Sequence, residues 1–194
     1  LYYLNFGYTH HRLALPDNLG LSLKPSSKED LYRAGLWIGE ELNPLSLEVK
    51  RDETGLFVPS LSKRQIYREA GLAYANIAET SDNPFIKESV YHGPVLVKPM
   101  PEPLSYLWSY TGITGIYFPF LVESTVNSHV RPDERLATVL HEVAHSYGFA
   151  REEEANFFSF YAGIHHPDMD FRYAAWLHAY IHVSNALYKE DKNL

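Results

Sequence analysis

Apolar residues recur at helical spacing in five stretches of the chain. Leu31, Ala34, Ile38 and Leu42 follow one another at intervals of three and four, behind a Ser27–Asp30 start signal. That pattern predicts a helix running to Asn43-Pro44, where proline pushes the preceding residue out of helical geometry. A second helix opens at Ser62 with Gln65 and runs through Ile66, Ala70, Tyr74 and Ile77. Over 132–147, Pro132 suits a first turn, Asp133 and Glu134 favour the positive end of the helix dipole, and Leu136, Leu140, Val143 and Tyr147 form a stripe that buries one side. Gly148 follows, at a place where left-handed backbone commonly ends a helix. Residues 152–163 read as a fourth helix, unusually aromatic through Phe157, Phe158, Phe160 and Tyr161. His165-His166-Pro167-Asp168 is then a loop, with Asp168 capping a last helix to about Tyr188.

Between the second and third helices the period shortens. Asn83-Pro84 and Gly93-Pro94 punctuate the chain, Val95-Leu96-Val97 is a short strand, and a brief helix fits 104–110. Residues 113–127 are rich in β-branched and aromatic residues on both sides of a break at Pro119. Two readings fit them: a sheet edge on which an extended peptide is laid, since strands tolerate proline mainly at edges, or a two-stranded piece of core bulged by Pro119. The expected fold is α+β and mostly helical, with a small sheet beside the helix over 132–147. With 194 residues, 45% of them hydrophobic, the chain can bury one substantial core, so a single domain over 1–194 is expected.

Charge and composition narrow the function. A net charge of −7 argues against a nucleic-acid partner, and the absence of cysteine excludes disulfides and thiolate metal sites. No apolar run reaches the roughly 18 residues that suggest a membrane span. His10 and His11 are adjacent, so they point apart in any regular element and are read as incidental.

His141-Glu142-Val143-Ala144-His145 carries the chemistry. Two imidazoles four residues apart share a helix face and can grip one zinc ion, with the glutamate between them placed to act as a base. A hydrolytic zinc site needs a third protein ligand from outside this helix and an open position for water. Arg151-Glu152-Glu153-Glu154-Ala155-Asn156 offers three carboxylates, all of which suit a helix start with or without a metal, and for at least two of them that is the whole reading. Glu152 is the first choice, because it shares a face with Asn156, which could hold a ligand by a second hydrogen bond; Glu154 competes with it. Glu152-x-x-Ala155-Asn156 also resembles the Glu-x-x-Ala-Asp signature of membrane-bound CAAX-prenyl-protein proteases, in which the first Glu is the ligand.

Residues 141–157 together resemble the core motif of the bacterial family called domain of unknown function 3810. The likeness extends to 115–127 and 171–177. It departs at Leu121-Val122, where Thr-Gly is common, and at Ala174-Ala175, where Ser-Gly is common. The resemblance implies a gluzincin-like metallopeptidase domain with membrane helices ahead of it, hence a cell-membrane location with the side left open. The aromatic-rich residues 1–15 resemble the segment after the last such helix, and an ordinary N-terminal strand would read the same way. Glu123 and Asn127 match the family pattern; Glu123, in an apolar run, needs a partner if buried, with Arg172 preferred over substrate.

On this reading one Zn²⁺, held by His141, His145 and Glu152, acidifies a water whose proton Glu142 accepts and delivers to the leaving amine of a peptide or protein substrate. Tyr173, Arg172 and His178 on the last helix are candidates to donate to the reacting carbonyl. His178 and His182 repeat the four-residue spacing without an acid at the base position, and are read as a chance pairing. Two rival readings are an inactive zinc-binding domain that serves as an interaction module in a membrane assembly, and a metal-free helical module.

Overall fold

The computed structural model describes residues 11, 13–90, 95–118, 120–121 and 123–190. The readings made for residues 1–10, Gly93-Pro94, Pro119 and Val122 lie outside these; His11 is exposed.

Eight helices and three strands are described. A short α1 (Leu15–Asn18) precedes α2 (Lys28–Glu48) and α3 (Lys63–Thr80), both of which start in the capping boxes anticipated at Ser27–Asp30 and Ser62–Gln65. In each box the hydroxyl accepts from the third backbone N–H while the acid or amide returns to the cap, so two otherwise orphaned donors are satisfied. The α2 helix does not stop at Asn43-Pro44 but carries Pro44 inside it to Glu48. Leu45 packs against the core and accepts from the backbone N–H of Val49, so tertiary contact sustains the turn that Pro44 weakens.

After α4 (Pro84–Ser89), capped by Asn83, come β1 (Val97–Pro99), α5 (Glu102–Ser109), β2 (Gly115–Phe118) and β3 (Glu123–Val126). The first strand begins two residues later than the apolar run suggested. The sheet order is β1-β3-β2, with β1 parallel and β2 antiparallel to β3. Within 113–127, β2 is thus an edge of the sheet and β3 lies in its middle.

Helix α6 (Pro132–Ser146) lies under this sheet and packs against α3, α7 (Glu152–Ile164) and α8 (Met169–Glu190). Leu136, Val139, Leu140, Val143 and Ala144 are fully buried in a cluster that extends from Leu15 to Trp176. The helix is pinned by side chains as well as by packing. The buried Tyr74 hydroxyl donates to the Leu140 carbonyl at 2.8 Å, and Ser124 Oγ from β3 donates to the Glu142 carbonyl at 2.7 Å. Gly148 ends the element at φ +86°, which a side chain would resist. The α7–α8 crossing is tight: a Cβ on Gly163 would lie 2.5 Å from that of Ala175.

The architecture is α+β, mostly helical, with a three-stranded sheet beside the helix that carries His141 and His145. No described helix is long and apolar enough to cross a membrane.

Candidate metal centre

His141 and His145 project from one face of α6 with their rings 4.6 Å apart and nearly perpendicular. The start of α7 brings Glu152 across to them. Its Oε2 lies 3.2 Å from His141 Nε2 and its Oε1 3.6 Å from His145 Nε2. Among the described residues, these three form the group of possible ligands whose donor atoms all lie within 4.8 Å of one another. A tetrahedral zinc with bonds of about 2.1 Å separates its ligand atoms by about 3.4 Å, so the donors stand at a spacing that fits such an ion without rearrangement of the backbone. The two imidazoles are largely buried, while 76% of the Glu152 side chain is exposed, so the group opens to solvent on the carboxylate side.

The imidazoles are held from behind. His145 Nδ1 is 2.7 Å from the Phe149 carbonyl, which can only accept, so Nδ1 carries a proton and Nε2 is the ring nitrogen that faces Glu152. The carbonyl is in reach because the chain turns back at Gly148. The Asn156 side chain, one turn beyond Glu152 on α7, sits beside His141 and favours its protonated form. Burial, followed by the neighbouring His145, keeps the pKa of His141 below its ordinary value against the opposing pull of Glu152, which favours the neutral, ligating form. Replacing Asn156 by Ala is expected to weaken zinc affinity about 10–100-fold, since metal-bound imidazoles depend on such partners; competition with a chromogenic chelator measures it.

Glu142 lies on the same helix and faces the edge strand. It is 4% exposed, and its Oε2 has no hydrogen-bond partner among the described residues. Burial, with a smaller push from Glu152, raises its pKa to about 8. A cation bound between the histidines and Glu152 would return it toward the ionised form.

In the metal-free chain the sign of the effect is defined. Folded Glu142 keeps its proton up to about pH 8, whereas in the unfolded chain it is lost near 4.5, so this group's contribution to stability falls as pH rises through that window. His141, His166 and His178, all shifted below 6.5, oppose it only at lower pH. Urea unfolding of the chelated protein should therefore show lower stability at pH 8 than at pH 6.5. The Glu142→Gln variant should lose most of that difference.

Strand β2 forms the wall opposite. A cleft of about 370 Å³ is lined by 112–117 on one side and by His141, Glu142, His145 and Glu152 on the other. Gly115 touches the catalytic candidate so closely that a Cβ there would collide with Glu142 Oε1 and lie 2.8 Å from its Cγ and Cδ. The Asn127 N–H donates to the Thr114 carbonyl at 2.8 Å, which sets the ladder's phase: Thr114, Ile116 and Phe118 direct their backbone groups to β3. The N–H and C=O of Gly115 consequently point outward from the sheet, beside Glu142.

The chain belongs to the family described as Protein of unknown function (DUF3810), whose model matches residues 1–194. No curated protein and no solved structure matches it.

Other residues singled out from the sequence of this DUF3810 member lie elsewhere. Glu154 turns away from the histidines: its Oε1 accepts from the Leu15 N–H at 2.9 Å and faces Arg151, so it anchors α1. Tyr173 is buried against Phe57, and neither it nor His178 lines the cleft. Both sit on α8, which packs against α6, and His178 lies within electrostatic reach of His141. Arg172 donates to the carbonyls of His166 and Pro167 and closes the α7–α8 loop. Glu123 pairs with Lys98 across the parallel strands at 3.1 Å, not with Arg172. Asn127 is buried beneath the cleft, where its amide donates to Ser109 Oγ and the Ile113 carbonyl and so fixes the entry to β2.

Gly115, Ser124 and the Phe149 carbonyl escaped the sequence reading. An isolated glycine inside a strand pattern is a signal of close backbone approach, and it was there to be read at Gly115. A backbone carbonyl leaves no such trace.

Proposed function

We propose that this chain is a zinc-dependent peptide-bond hydrolase of the gluzincin kind, with a zincin-like fold. What carries the reading is the convergence of His141, His145 and Glu152 at ligand spacing beside a buried, unpartnered Glu142 carboxylate. A zinc ion held by these three residues supplies the Lewis acidity that makes water a nucleophile at neutral pH. The remaining work belongs to the protein. Glu142 accepts the proton of the attacking water and passes it to the departing amine. The outward backbone of Gly115 pairs with an extended substrate and aligns its scissile bond over Glu142. The Phe149 carbonyl keeps the His145 ring turned inward, and Asn156 stands beside His141. The substrate is a peptide or protein, and the reading includes attachment to a cell membrane through segments outside this chain, as the family resemblance implies.

Incubating tag-free protein with a peptide library tests the proposal. Cleavage is expected, should stop on metal removal by a chelator and should return with Zn²⁺. Stoichiometric metal with no cleavage of any peptide would favour the inactive zinc-binding interaction domain instead.

A further inference from the structure

Helix α8 carries a second histidine pair, His178 and His182, whose rings stand 4.6 Å apart at 83°. The His141–His145 pair has the same separation at 86°. Both α8 histidines line a cavity of about 270 Å³ between α7 and α8, to which α7 contributes Glu153 and Asn156. Three other histidines are engaged: His129 with Glu102, His165 with the Tyr161 carbonyl, and His166 with the Asp168 N–H. His178 and His182 make no hydrogen bond to any described residue, and each touches only the other's ring among aromatic neighbours.

We infer that His178 and His182, completed by Glu153, form a second metal site in the cavity between α7 and α8. Imidazole donors with one carboxylate select a borderline divalent ion such as Zn²⁺, Ni²⁺ or Cu²⁺ over Ca²⁺ or Mg²⁺. Glu153 is exposed at the cavity's rim, and its carboxylate is not yet gathered within 4.8 Å of both rings as Glu152 is in the first site. Drawing it in costs side-chain freedom, so the second ion binds more weakly than the first. The absence of an acid between the two histidines leaves this site without a base, so it is a binding site rather than a hydrolytic one. It does not depend on the peptidase reading.

Calorimetric titration of the tag-free full chain with Zn²⁺ tests it. Wild-type protein is expected to bind about two ions in two steps, and His182→Ala about one, with loss of the weaker step. His182 is exposed, so its removal leaves the core intact, and His178→Gln should act alike. His145→Ala should lose the tighter step and keep the weaker, which separates failure of one site from failure of the other. Glu153→Gln should weaken the second step alone. A single step in the wild type, or two unchanged steps in His182→Ala, overturns the site; an unchanged second step in Glu153→Gln overturns Glu153 as its third donor.

Discussion

Replacing Glu142 by Gln is expected to lower peptide hydrolysis by about 10²–10⁴-fold or more, the range general base catalysis supplies, while zinc still binds at His141, His145 and Glu152. Gln has the shape of Glu and fills the same buried space, so α6 and its ligands are undisturbed. It cannot accept a proton, and the step that turns water into a nucleophile fails. Steady-state kinetics paired with metal analysis separates the two roles: kcat falls and zinc content stays. A variant that retains cleavage within about tenfold of wild type would remove Glu142 from the role of base.

The second large effect is expected at a residue with no functional group. Gly115→Ala places a methyl where the Glu142 carboxylate lies. Gly115 does not have positive φ, so Ala suits its backbone and the substitution isolates the close approach. The helix cannot retreat, because Tyr74 and Ser124 hold the carbonyls of Leu140 and Glu142. The carboxylate must move instead. A misplacement of about 1 Å costs about 10² in kcat, and the overpacking costs about 1–3 kcal/mol in stability. In a Glu142→Ala background the clash is gone, so the stability cost of Gly115→Ala should largely vanish; a cost that persists would place its origin elsewhere.

The contrast between the two glutamates nearest the histidines shows how far spacing reaches. Glu152 and Glu154 are both one helical turn or less from Asn156, and both suit a helix start. Which one meets the histidines depends on the rotation of α7 about its own axis, set by the packing of Phe158 and Ala162 in the core and by Leu15 docking on Glu154. Leu15 is 139 residues away from Glu154 in the chain. That Tyr173 and His178 do not line the cleft has a related cause. Helical periodicity shows that α8 has a buried face, but not whether that face looks into the cleft or away from it.

The capping boxes at Ser27 and Ser62, the apolar stripe of α6, the His141–His145 pair and the strand character of 113–127 rest on interactions within a few residues, and such interactions are written directly in residue order. The selection of Glu152, the seating of Gly115 against Glu142, the grip of Phe149 on His145 and the meeting of Glu153 with His178 and His182 in one cavity arise between segments whose relative orientation only the packed core establishes. Local geometry thus determined which side chains could do chemistry, and long-range burial decided which of them meet.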